Sequence, residues 1–314
     1  MKLSVAMITY NQERFIGQAI ESVLAQKVNF DFEIVIGEDC STDGTRTVVM
    51  DFHRRYPDRI VLILRPQNIG PMRNMESTLA ACRGQYLSIL EGDDYWTSVD
   101  KIQKQVDFLD FHPECAICCH RVRFLNETGS TEFDIFPPRA AGSYAIEDLL
   151  RGNFVMTCSA MARRDLLVGF PSALSQMIVG DWARFAWVAR HGTIELMHEV
   201  MATYRVHAGS MWSLLPFPTR MRESARMLRV LDKKLGYVYR DTISQTIASL
   251  YLQMALTARL NGKRIETAKH VLSCIRNGGL RLGTGMRTFA GLAGYTLLGS
   301  GYKVFSRAKA ANGG

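Results

Sequence analysis

The chain has 314 residues, 47% hydrophobic and 22% charged, with a formal net charge of +8. That balance belongs to a globular protein and excludes a disordered or fibrous one, while the length allows one large domain or two. Seven cysteines, an odd number in apolar surroundings, fit free thiols in a reducing cytoplasm, and the apolar stretch after Met1-Lys2 is too short for a secretory signal.

Leu3–Ile8 is an apolar, β-rich run closed by a turn at Thr9-Tyr10-Asn11. Phe15, Ile16, Ala19, Ile20, Val23 and Leu24 then recur at helical spacing as far as Gln26. Phe32–Ile36 reads as a second strand, followed by Gly37–Gly44, where Ser41 or Thr42 can cap a helix over Thr45–Tyr56. Ile60–Leu64 is a third strand, Met72–Cys82 a third helix and Tyr86–Leu90 a fourth strand. Alternation with short connections predicts right-handed crossovers and an α/β fold, a Rossmann-like, mostly parallel sheet with helices on both faces. Further on, Cys115-Ala116-Ile117-Cys118-Cys119-His120 has no second Cys/His pair to complete a zinc tetrahedron and reads as a buried strand.

The chemistry should lie where the strands end. Open α/β sheets bind ligands beyond the carboxyl ends of their strands, and this sheet brings Thr9-Tyr10-Asn11, Glu38-Asp39 and Asp93-Asp94 to one edge. Alone, the Asp pair would read as a solvated acidic turn. Adjacent carboxylates kept ionised call for a cation or a set of donors, and Mn²⁺ or Mg²⁺ bridging to a diphosphate would supply the former. Neither the dinucleotide fingerprint nor a Walker loop stands at a strand end, so phosphates are expected to be held through a metal.

Ser4–Asn11, Glu21–Gln26, Glu33–Gly44, Asn68-Ile69-Gly70 with Arg73-Asn74, and Gly84–Asp94 together resemble the family-2 glycosyltransferases. The resemblance covers roughly the first hundred residues in unbroken order. It implies a GT-A fold, a nucleotide-sugar donor (a UDP- or dTDP-sugar), a divalent cation and inversion at the anomeric carbon. Carried onto this chain, it makes Thr9, Tyr10 and Asn11 the lining of the nucleoside pocket, with Glu13 and Arg73 also on the donor side. Asp39 would accept from the base imide, Asp93 would face the ribose, and Asp94 would ligate the metal. Glu38 stands where many members have Asp, and Gly92 directly precedes the Asp pair.

Two later segments fit the same resemblance. Gly180-Asp181-Trp182 resembles the acidic element near the acceptor, which makes Asp181 the candidate base; the alternative is that it caps a helix over Trp182–Arg190. Tyr204-Arg205-Val206-His207 resembles the late motif whose histidine reaches the metal or pyrophosphate, making His207 a candidate ligand; otherwise it is an ordinary surface histidine. Between them, Val122–Gly169 identifies no sugar, and Arg163 and Arg164 read either as contacts to an anionic acceptor or as solvated side chains.

Residues 1–214 carry 21 Lys+Arg against 26 Asp+Glu, a net of −5, whereas residues 215–314 carry 17 against 4, a net of +13. The first segment is expected to be the catalytic domain, with a nucleotide-sugar half over about residues 1–112 and an acceptor half over 113–214. The second is expected to be a basic helical appendage. Stripes at Ile243–Ala258 and Ile265–Ile275 flank a break at Asn261-Gly262, and the apolar, Gly-rich Phe289–Leu298 is too short to span a membrane. The tail can lie on the inner face of an anionic membrane, pack on the catalytic domain or form a homodimer contact. The expected acceptor is a saccharide or lipid-linked saccharide in surface-polysaccharide assembly. Two rivals are a sugar-phosphate nucleotidyltransferase, which would show a Gly-rich loop after strand one, and a basic polyanion-binding protein. No nucleic-acid partner is expected, because no recognised module is present and the candidate site is acidic.

Overall fold

Each face of the first strand feeds a different core. The computed structural model describes residues 1–127, 135–167 and 169–279. In β1 (Leu3–Thr9), Leu3, Val5 and Met7 enter one hydrophobic cluster and Ala6 the other. In β2 (Phe32–Glu38), Phe32, Ile34 and Ile36 join the first cluster and Val35 the second. Burial on both faces explains why these strands read as continuous apolar runs. The first cluster takes the buried stripes of α1 (Ile16–Leu24) and α2 (Thr45–Arg55). After β3 (Ile60–Leu64), α3 (Pro71–Ala81) sends Met75 into the second cluster. Helices therefore cover both faces.

β1 pairs in parallel with β2 and with β4 (Tyr86–Ile89), and β3 adds in parallel beyond β2. Then come β5 (Tyr95–Trp96), α4 (Lys101–Phe111), β6 (Cys115–Asn126), β7 (Ile135–Phe136), β8 (Gly142–Tyr144) and α5 (Ile146–Arg151). A 3₁₀ turn leads to β9 (Met161–Arg163), followed by α6 (Ser172–Ser175), α7 (Gly180–Ala189) and β10 (Thr193–Val206). The sheet order is β3-β2-β1-β4-β9-β6-β10-β5, with β7 on β6 and β8 on β10. The first four strands are parallel; β9 joins them antiparallel to both β4 and β6, and β10 returns parallel to β6. Cys115, Cys118 and Cys119 lie buried and free in β6.

Several side chains differ from their sequence-based reading. The α2 cap falls to neither Ser41 nor Thr42: Ser41 Oγ accepts the Asn11 N–H at 3.0 Å, while Asp43 Oδ1 accepts the Thr45 N–H at 3.0 Å. Arg163 is half-buried and spent on backbone, so it is neither solvated nor free for an acceptor, whereas Arg164 stays exposed, in keeping with one of its two readings. Arg163 donates to the carbonyls of Leu109, His112 and Cys115, and Arg164 to that of Gly84. Lys101 is fully buried over the Trp96 ring, its Nζ 2.7 Å from Gln105 Oε1, and burial pushes its pKa down to about 7.

β2 and α3 pack backbone to side chain at Gly37, whose carbonyl accepts from Asn74 Nδ2 at 2.7 Å. A Cβ there would lie 2.2 Å from Thr78 Oγ1 and 2.5 Å from Asn74 Oδ1. Gly37→Ala is therefore expected to destabilise the fold by about 1–3 kcal/mol, the usual range for overpacking. Thermal melting of the variant checks this; an unchanged transition would show that α3 yields freely.

The described residues form two compact units, one ending at Leu214 and the other beginning at Leu215. The second contains α8 (Phe217–Lys234), α9 (Arg240–Leu260) and α10 (Arg264–Arg276). α9 buries Ile243, Ile247, Leu250, Met254 and Ala258, and the chain turns at Gly262 with φ +72°. Ala248, Leu252, Ala255, Val271 and Cys274 form the α9–α10 core. Among the described residues no helix is long and apolar enough to cross a membrane, and Phe289–Leu298 lies outside them.

Candidate active site

The loops after β1 and β2 are stitched together at the carboxyl edge of the sheet. Asn11, at φ +52°, accepts the Thr42 N–H on Oδ1 at 2.8 Å, and Glu13 Oε2 accepts the Gly44 N–H at 2.9 Å. Thr9 is buried, with Oγ1 donating to Gln12 Oε1 at 2.8 Å, while Tyr10 stays exposed. Asp39 is buried, and its two oxygens accept the N–H groups of Ile69 and Gly70 at 2.8 and 2.9 Å. Asp39 thus shapes the loop entering α3, and only its remaining lone pairs are left for a base. Glu38, fully buried, pairs with Arg46 and accepts the Ser41 N–H at 2.6 Å. Arg73 is exposed in the first turn of α3.

After β4 the chain crosses behind this edge as Glu91-Gly92-Asp93-Asp94. Gly92 has no room for a side chain, since a Cβ would lie 2.5 Å from Gln12 Oε1 and 2.9 Å from Ile16 Cδ1. The two aspartates then part company. Asp94 is 1% exposed, and its Oδ1 accepts the Arg205 N–H at 2.8 Å. Burial above all, then the charges of Asp93 and Glu91, raise its pKa well above the carboxylate range. Asp94, expected to ligate the metal, faces the interior and fastens β10. Asp93, expected to face a ribose, is the partly open one, with Oδ2 2.9 Å from His207 Nε2.

His207 is held between Phe15, 4.7 Å away between ring centroids, and the Gly209 N–H, which donates to Nδ1 at 3.1 Å. With Nδ1 accepting, the neutral ring carries its proton on Nε2 and donates it to Asp93. His207 is thus no free surface histidine.

Arg205 organises the cluster, a role the sequence reading did not assign. Its guanidinium donates to the Asp93 carbonyl at 2.6 Å and to Gln18 Oε1 at 2.7 Å, and lies 3.0 Å from Glu127 Oε1. It sits over the Phe15 and Tyr95 rings, while its own backbone N–H holds Asp94. The available signal was an arginine within the apolar β10 run Met201–Val206.

Glu91 is the second residue passed over. Burial, followed by the charges of Asp93 and Asp181, pushes its pKa up to about 8. Asp181 therefore belongs to the same electrostatic site, although 88 positions separate it from Asp93 in sequence. It lies in the first turn of α7, where Val179 is the N-cap and no side chain makes a capping bond. Its Oδ2 accepts from Asn153 Nδ2 at 3.5 Å. Burial raises its pKa, against lowering by the Trp182 N–H and Arg184. Carboxylates predominate here, and among the described residues no three His, Cys, Asp or Glu side chains form a ready-made metal cluster.

Residues 4–168 match the model of a family described as Glycosyl transferase family 2. The chain belongs to that family. An uncharacterized protein of Mycobacterium tuberculosis is 37% identical over 210 residues, covering 67% of this chain and 60% of that protein, less than two thirds of its length. The family's fold is shared with solved structures. Staphylococcus aureus TarS with UDP-GlcNAc superposes with a TM-score of 0.62 at 19% identity, covering 97% of this chain and 88% of that one. A Pyrobaculum calidifontis mannosyltransferase with GDP-Man and Mn²⁺ gives 0.59 at 16% identity, covering 98% and 84%. The expected GT-A α/β architecture is therefore the one present.

Proposed function

We propose that the chain is an inverting, cation-dependent glycosyltransferase that moves a sugar from a nucleotide-diphosphate donor to an acceptor hydroxyl. The observation that carries this is the gathering of Glu91, Asp93, Asp181 and His207 at the strand-end crevice, beside the joined loops of Thr9–Glu13 and Asp39–Gly44. Asp181 accepts the acceptor's proton as that oxygen bonds to the anomeric carbon. The carbon–oxygen bond to the diphosphate breaks on the opposite face, and the nucleoside diphosphate leaves with the electron pair.

The residues present fit a divalent cation. Glu91 has only like charges, those of Asp93 and Asp181, acting on it, and Asp93 presents an oxygen toward the imidazole nitrogen of His207. Asp93 would hold the ion, with His207 joining once its proton moves to Nδ1 and the Gly209 bond is released. Asp94 keeps β10 in place. Such an ion neutralises charge on a departing diphosphate. Arg205 holds the Asp93 backbone in position.

The donor is proposed as a UDP-, dTDP- or GDP-sugar. TarS, 28% identical over 113 residues, is named a poly(ribitol-phosphate) β-N-acetylglucosaminyltransferase, which supports a saccharide or polymer acceptor in polysaccharide biosynthesis. Seven free cysteines support a cytoplasmic setting. The test is incubation with a panel of nucleotide sugars and Mn²⁺. One donor should release nucleoside diphosphate, chelator should stop the release, and magnetic resonance should show an inverted anomeric centre in the product. Pyrophosphate released from a nucleoside triphosphate and a sugar phosphate would instead establish a nucleotidyltransferase.

A further inference from the structure

The helical unit contains a cavity of about 330 Å³ lined by Pro216, Thr219 and Arg222 of the α8 end and by Lys263, Lys269 and His270 of the α10 end, with Pro218 and Glu266. Its charge is lopsided. Three permanent cations face one carboxylate, and that carboxylate, Glu266, is already 3.5 Å from Lys263 Nζ. Arg222 is steadied by a 3.3 Å bond to Thr219 Oγ1. Among the described residues neither Arg222 nor Lys269 has a carboxylate within ion-pair distance.

We infer that this cavity is a binding site for a phosphate group, supplied either by a lipid headgroup or by a soluble phosphate compound. Arg222, Lys263 and Lys269, all exposed to solvent, line one concavity, and a guanidinium with ammonium groups suits a multiply charged oxyanion. The volume lies at the small end of ligand sites, enough for a phosphate or diphosphate head. No Phe, Tyr or Trp lines the cavity, so it offers no platform for stacking a nucleobase, which sets it apart from a nucleotide or nucleic-acid site. The His270 ring is half-buried; burial first, then the Arg222 charge, keep it below the usual histidine range. Its ring nitrogens add hydrogen-bonding capacity to the cavity wall. The inference does not depend on the transferase reading.

The test uses the full chain with chelator present, so that the acidic cleft of the first unit has no cation with which to attract phosphate. Inorganic pyrophosphate should bind by calorimetry, and the double variant Arg222→Gln/Lys269→Gln should bind at least about tenfold more weakly, as expected for losing two charge-assisted contacts. A control pair on the exposed last turn of α8, Lys233→Gln/Lys234→Gln, makes the same change in net charge and should bind as the parent does. Unchanged melting of the double variant separates lost binding from lost folding; Arg222→Lys should restore most of the affinity if that variant melts early. Phosphatidylglycerol vesicles give the second arm. Pelleting that pyrophosphate reverses and the double variant lacks identifies a lipid headgroup, and pyrophosphate binding without pelleting identifies a soluble phosphate. Equal affinity in parent and double variant, or no binding of either probe, overturns the proposal.

Discussion

Asp181→Asn is expected to slow sugar transfer by about 10²–10⁴-fold, the usual cost of losing a general base, with donor binding retained. Asparagine keeps the shape and the contact with Asn153 but cannot accept the acceptor's proton. Its effect on stability separates this role from a structural one. Asp181 lies inside the first turn of α7, where Val179 is the N-cap, and burial raises its pKa against the lowering by the Trp182 N–H and Arg184. A carboxyl whose folded pKa exceeds its unfolded value binds more protons when folded, so its contribution to stability falls as pH rises through that window. Removing the charge should therefore leave the melting temperature at pH 7 unchanged or higher. Wild-type turnover in the variant, or a collapse of melting along with activity, would leave the base role without support.

Asp93→Ala should abolish the cation's effect on nucleoside diphosphate binding, whereas Asp94→Asn should preserve it. Loss of a second-shell partner costs about 10–100-fold in metal affinity, so loss of the principal ligand should shift the Mn²⁺ requirement by more than about 100-fold. At Asp94 the bond that matters runs from the Arg205 N–H to Oδ1, and an asparagine carbonyl accepts it equally well. Asp94→Ala would leave that N–H unpaired in the interior, a loss of about 1–3 kcal/mol visible in melting. Calorimetric titration of a nucleoside diphosphate at several Mn²⁺ concentrations reads both variants. The opposite pattern, with Asp94→Asn blind to Mn²⁺ and Asp93→Ala responsive, would return the metal to Asp94.

The sequence showed where the chemistry lies more readily than which atoms perform it. Leu3–Thr9 and Phe32–Glu38 were legible because burial on both faces leaves little choice but apolar residues, and the polar residues at their ends then stand out; Ile60–Leu64, mostly half-buried at the sheet edge, was legible from its unbroken apolar run. In Asp93-Asp94 the pair was visible, yet the division of labour depends on which carboxylate turns inward, and that is decided by the distant Arg205 amide. The carboxylate-x-carboxylate spacing of Glu91 and Asp93 was present but was overshadowed by the adjacent Asp pair. The backbone bonds of Arg163 and Arg164 were illegible for a different reason. A chain cannot reveal in advance which backbone carbonyls it will leave for an arginine to satisfy, here those of Leu109, His112, Cys115 and Gly84.

The return of β10 has a consequence for the order in which this protein can become active. Asp93 meets its histidine partner across 114 positions of chain, and β10 lies alongside β6, pairing Thr193–Val206 with Cys115–Asn126. Such non-local pairings are late and slow, because the intervening loop must be closed before they contribute. A nascent chain that has emitted β1 to β4 can already form its parallel strands and join the loops of Asn11 and Thr42. Its acidic pair must still wait for more than a hundred further residues, so the half that shapes the donor pocket can be assembled during synthesis well before the strand that completes the chemistry arrives.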